Sequence, residues 1–221
     1  MENNEEVCSD KIITMPISEF YMLAGYFGIN KVFGYSFDDK KYSKQDMIGI
    51  IHNMVKKGVL QVKNNSFECS DTYKAMKDYL KYASHVIQIK MSENDNPVCI
   101  GYLGEKIMIT EISDNNNKRL NIRWIEKNSI SHYIREHGYL SCILNIYLND
   151  QISEQKGILD GRIALFQAEI IEADTKNVLK SLKAEYNFER IGLIYTDENI
   201  FDDIYDGIDM FDELMERLID Y

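Results

Sequence analysis

Two histidines, His132 and His137, bracket Glu136, and the acidic tail carries Asp202, Asp206, Gly207 and Glu213. These residues come nearest to a chemical signature. An inverted zinc motif needs two histidines four positions apart on one helical face. Here they are five apart, and at about 100° per residue the rings diverge by roughly 140°, so one helix cannot offer both to a metal. The tail residues match positions 1, 5, 6 and 12 of an EF-hand loop, yet position 3 is Ile204, where an oxygen ligand is required. His52 and His85 stand alone, so the sequence assigns no metal-binding residue.

Other chemistries fail more simply. The chain has no G-x-x-x-x-G-K-[ST] phosphate loop, no G-x-G-x-x-G after a strand and no G-x-S-x-G nucleophile elbow. Gly101-Tyr102-Leu103-Gly104 sits between strands and reads as a turn. Carboxylates gather on one tail face instead of pairing across an apolar cleft, so acid/base catalysis has no positive signal. The sequence thus assigns no catalytic and no cofactor-binding residue, and the chain reads as non-enzymatic, without a cofactor. Cys8, Cys69, Cys99 and Cys142 are too scattered for a metal knuckle and too sparse for a disulfide scaffold, which predicts reduced, mostly buried thiols.

Charge narrows the partners. Between Lys40 and Lys81 nine lysines face Asp46, Glu68, Asp71 and Asp78, whereas from Asp197 to Tyr221 ten acids face Arg217 alone. The whole chain carries −11, which opposes non-specific DNA binding because phosphate contacts dominate that affinity. The lysine block has no arginine, the commonest specific partner of guanine, and its helix before the hairpin offers a groove only Lys44, Gln45, His52 and Asn53. Nucleic acid is therefore disfavoured. With 221 residues, 45% of them apolar, the chain supports a globular core. The acidic start Met-Glu-Asn-Asn-Glu-Glu has no basic n-region, and no apolar run reaches the roughly 18 to 20 residues of a spanning helix. A cytoplasmic protein that does not enter membranes is expected.

The elements that would hold these residues follow from caps, periods and turns. Ser43 precedes Lys44-Gln45-Asp46 and predicts a capped helix with Met47, Ile48, Ile51, Met54 and Val55 on one face, ending near Lys57 before Gly58. Val59–Val62 and Ser66–Cys69 flank Lys63-Asn64-Asn65, where asparagine tolerates positive φ, and predict a hairpin. Ser70 or Asp71 caps a second helix with Tyr73, Met76, Leu80 and Ala83 as its stripe. Upstream, Ser18 is expected to cap a helix through Phe20, Met22, Leu23 and Phe27, closing at Gly28. Residues 43–83 thus read as a winged-helix-like helix–hairpin–helix segment.

After Ala83 the period turns to alternation. Val86–Met91, Pro97–Leu103, Lys106–Ile112 and Leu120–Trp124 predict a meander of antiparallel strands. Ser129 starts a helix over Ile130–His137 that Gly138 stops. Leu140–Leu148 alternates, which favours a strand, although it is also apolar enough for a buried helix. Past a polar connection at Gln151–Gly161, Arg162–Ala173, Val178–Asn187 and Ile191–Tyr195 predict three more strands. Phe201, Ile204, Tyr205, Ile208, Phe211, Met215 and Leu218 recur at helical spacing, so Glu198–Tyr221 is expected to be one acidic amphipathic helix. No internal repeat or linker is visible. The fold class is α+β, an antiparallel sheet flanked by helices in a single domain 1–221: a helical, winged-helix-like region over 1–84, a sheet over 85–197 with one inserted helix, and the tail helix over 198–221.

Several of these segments carry a resemblance. Phe20 to Phe27, the run Met47-Ile48-Gly49-Ile50-Ile51-His52-Asn53-Met54-Val55-Lys56-Lys57-Gly58-Val59-Leu60, then Phe67-Glu68-Cys69-Ser70-Asp71 and Val98-Cys99-Ile100-Gly101-Tyr102-Leu103-Gly104 together resemble the EspG-like proteins of type VII (ESX) secretion loci. The similarity is one of pattern over roughly the first 125 residues. It implies a central antiparallel sheet flanked by helices and a cytosolic, chaperone-like role that binds helical secreted proteins before export. It passes on no catalytic residue, leaves the partner-binding residues unknown and does not account for the acidic tail. The alternative is a winged-helix DNA-binding regulator with a C-terminal sensing or dimerising region, which the lysine block would serve.

Overall fold

The computed structural model describes residues 12–29, 32–35, 42–91, 98–114, 119–140, 163–186 and 191–220. Strand β1 (Ile13–Pro16) runs into helix α1 (Ile17–Tyr26); α2 (Lys44–Lys56), the hairpin β2 (Leu60–Lys63) and β3 (Ser66–Cys69), and α3 (Asp71–Tyr82) follow. Four strands then succeed one another, β4 (His85–Lys90), β5 (Cys99–Leu103), β6 (Ile107–Asp114) and β7 (Arg119–Ile125), closed by α4 (Ile130–Glu136). Four more, β8 (Ile163–Glu172), β9 (Val178–Tyr186), β10 (Ile191–Asp197) and β11 (Ile200–Asp206), are closed by α5 (Phe211–Ile219).

All strands outside the hairpin join one nine-stranded sheet in the order β1-β7-β6-β5-β4-β8-β9-β10-β11, every neighbouring pair antiparallel. After β1 has taken one edge, the chain lays β4 at the centre of the sheet and winds outward to β7, beside β1. It then returns to the centre with β8 and winds outward the other way to β11. Two meanders of like topology, each ending in a helix, therefore meet back to back along the β4–β8 pair. The molecule is α+β, with a large antiparallel sheet and helices on its faces.

Local chemistry accounts for the ends of the helices. Ser43 and Asp46 cap α2 reciprocally: the Asp46 amide donates to the Ser43 hydroxyl at 3.2 Å and the Ser43 amide donates to the Asp46 carboxylate at 2.8 Å. Helix α2 closes with Val59 N–H donating to the Met54 carbonyl and Gly58 N–H to that of Val55, and the same paired bonds close α1 at Gly28 and α4 at Gly138. The hairpin turns through Asn64 and Asn65 at φ 50° and 61°.

Each sheet face buries its own core. On one face Ile87, Ile89, Phe166, Leu182, Leu193 and Tyr195 pack under Ile130 and Ile134 of α4 and Phe211, Leu214 and Leu218 of α5. On the other, Val86, Ile100, Tyr102, Met108, Ile122 and Trp124 pack under α1, α2, α3 and the hairpin through Phe20, Leu23, Met54, Leu60 and Met76. Burying each such side chain contributes roughly 1.5–3 kcal/mol before entropy is set against it.

Three expectations are corrected, and one strand was not expected. The tail is not one helix: Ile200–Asp206 pairs with β10, and α5 begins only at Phe211. Its β-branched and aromatic residues suit a strand, the Asp197–Asn199 turn returns the chain alongside β10, and Gly207 at φ 82° interrupts any continuous helix. Helix α1 begins at Ile17 after Pro16, so Ser18 lies inside the first turn and does not cap it. Ile13–Pro16 forms a strand that periodicity did not announce. Gly101–Leu103 belongs to β5 and not to a turn, pairing with β4 and β6; the glycine suits close packing there, since a Cβ would meet Ile87 Cγ2 at 2.6 Å and Ile107 Cγ2 at 2.7 Å. The strand favoured for Leu140–Leu148 falls, past Leu140, outside the described residues, as does the connection Gln151–Gly161.

Candidate interaction surface

The residues that looked chemical in sequence are drawn to separate duties. His132 Nε2 lies 3.1 Å from Glu136 on the exposed side of α4, while His137 turns back, donating Nδ1–H to the Tyr133 carbonyl at 2.9 Å and stacking on the Tyr133 ring at 4.0 Å. Asp202 and Asp206 lie on β11, and Glu213 lies beyond Gly207 on α5. The Asp202 carboxylate accepts from the Thr196 hydroxyl at 2.6 Å. Among the described residues no three His, Cys, Asp or Glu side chains are grouped to hold a metal.

One buried polar cluster lies under α4. Glu111, on β6, accepts a hydrogen bond from the Tyr139 hydroxyl, faces Arg123 on β7 at 3.8 Å and stands opposite Cys99 in the β5–β6 register. Arg123 in turn lies over the Tyr133 ring at 5.2 Å. Burial raises Tyr133, Tyr139 and Cys99 above their ordinary ranges, and the Glu111 carboxylate raises them further. Both phenols and the thiol stay protonated near neutrality, so the cluster ties α4 to the sheet and has no activated nucleophile. Cys69 is likewise a buried free thiol raised by burial, as expected; Cys8 and Cys142 lie outside the described residues.

Three of the seven described lysines of the block are held in ion pairs. Lys57 reaches back to α1 and meets the buried Glu19 at 2.5 Å, Lys63 meets Glu68 across the hairpin at 3.0 Å, and Lys74 meets Asp71 at 2.6 Å. A shallow groove along α2 is lined by Tyr42, Gln45, Asp46, Gly49, Ile50 and Asn53. Hydrogen bonds from the Ser43 side chain and amide hold the Asp46 carboxyl below its usual range. That groove therefore carries a fixed negative charge, which is unsuited to a phosphate backbone.

Two surfaces remain for a macromolecular partner. The first is the far half of the sheet. On the face that carries α1–α3 over the first meander, the second presents cross-strand rows instead, Lys90, Gln167, Lys183, Ile194 and Ile204 in one and Gln88, Glu169 and Ser181 in the next. Among the described residues no helix packs there. Lys90 and Glu169 bridge the seam at 3.1 Å, and Ile204 is 66% exposed. The second surface is the hairpin. Leu60 and Cys69 are buried, but the next pair on that face, Val62 and Phe67, overhangs the core at 60% and 45% exposure. Tyr26, also 45% exposed, holds the β3 backbone: its hydroxyl donates to the Phe67 carbonyl at 3.1 Å and accepts from the Cys69 amide at 3.3 Å. The sequence placed Val62 and Phe67 on strands; alternation gives a side chain's face, not whether the core extends far enough to cover it.

No family model matches the chain, and no curated protein matches it in sequence. Among solved structures it is similar to the type VII secretion system chaperone EspG5 of Mycobacterium tuberculosis, solved in complex with a PE25–PPE41 dimer. The two share 11% identity with a TM-score of 0.50, over 95% of this chain and 94% of the other. At that identity the likeness concerns the fold, and it spans nearly the whole of both chains.

Proposed function

We propose that this chain is a non-enzymatic, cytosolic, chaperone-like protein that acts as one α+β domain and binds a helical substrate of type VII secretion. The observation that carries the reading is the fold likeness to a secretion chaperone over nearly the full length of both chains. The surfaces support it. A rigid nine-stranded sheet leaves one half of a face without a described helix, and an apolar ledge projects from the hairpin. Exposed apolar groups on a firmly packed scaffold suit reversible protein binding, because little order must be lost when the partner docks. No helix among the described residues is long and apolar enough to cross a membrane. The DNA-binding alternative gains nothing specific, since Lys57, Lys63 and Lys74 already serve ion pairs.

Affinity capture with the tagged full chain from the cytosol of its own organism, with mass spectrometry of the bound fraction, tests the reading. A helical exported protein should be recovered in stoichiometric amount and should re-form a complex when the purified partners are mixed. Recovery of no helical exported protein would sink the proposal. A salt-dependent shift of duplex DNA, lost on neutralising Lys56, Lys57 and Lys63, would replace it with the regulator.

A further inference from the structure

We draw no further inference here: the strongest candidate, the outer edge of β11 at the far side of the sheet, is blunted by the register shift between Tyr195 and Asp197 and by Asp202 and Asp203, which already meet Thr196 and Arg217, and nothing among the described residues shows what covers it.

Discussion

The two meanders share a topology and differ in clothing. Both wind outward from the central β4–β8 pair and end in a helix, and α4 and α5 pack on the same face of the sheet. On the opposite face the first meander carries α1, α2, α3 and the hairpin, and its strand β5 is apolar on both sides, with Cys99, Ile100, Gly101 and Tyr102 all buried. The second has no described helix there, and its strands alternate apolar with polar residues. A sheet covered on both faces selects near-continuous apolar strands, whereas one covered on a single face selects alternation. One architecture thus yields a half that described helices pack on both faces and a half whose second face carries polar rows ending at the exposed Ile204.

The largest expected effect breaks this contrast at two residues on the same face. Met108→Ala, in the fully buried layer of β6, should cost about 2–5 kcal/mol in urea unfolding, whereas Ile204→Ala, on β11, should stay within about 0.5 kcal/mol. Equal costs would mean that the second meander's face is covered as the first's is. The glycines sharpen the same point. Gly101→Ala pushes a methyl between Ile87 and Ile107 and should cost about 1–3 kcal/mol. Gly192→Ala, whose nearest obstacle is the Tyr205 carbonyl at 4.0 Å, should be neutral or slightly stabilising by the same measurement.

At the seam between the halves, Glu169 accepts from Lys90 at 3.1 Å and from Gln167 at 2.6 Å, with both charged side chains largely buried. Glu169→Gln keeps the shape and removes the charge; a loss of about 1–2 kcal/mol on thermal unfolding is expected. The smallest effect belongs to the helical layer that only the first meander carries. Ser43→Ala should fray the first turn of α2, seen as faster amide exchange there. Because Ser43 holds Asp46 below its usual range, this cap is fully present above the ordinary aspartate pKa. It is lost only as pH falls through the lower folded value, so wild-type protection should fade there, below the ordinary range. Fading at higher pH would remove the reciprocal cap from the account.

Legibility followed the range of the interactions. The Ser43–Asp46 cap, the Asn64-Asn65 turn and the glycine closures of α1, α2 and α4 are contacts within a few residues, and their residue types announce them. The meander β4–β7 was equally readable, since turn residues and alternation set short strands in sequence. The tail was not, because Ile204, Tyr205, Ile208 and Phe211 satisfy a helical stripe while Ile200 to Asp206 also suits a strand. Pairing with β10 decided between them. The chemical candidates dispersed for the same reason: the side chain that claims Lys57 is Glu19, thirty-eight positions away, and the one that faces Glu111 across the sheet is Arg123.

By itself the sequence determined which segments are helices or strands through most of the chain, where they stop, and that the molecule is α+β and acidic. Those properties come from local backbone preference, capping and the summed charge of the side chains. The tertiary structure alone decided that β4 and β8 meet at the centre of one sheet, that the tail contributes an edge strand, and that Val62 and Phe67 overhang the core. Each of these depends on how far one packed layer reaches over another, a length that long-range pairing sets and no local pattern encodes.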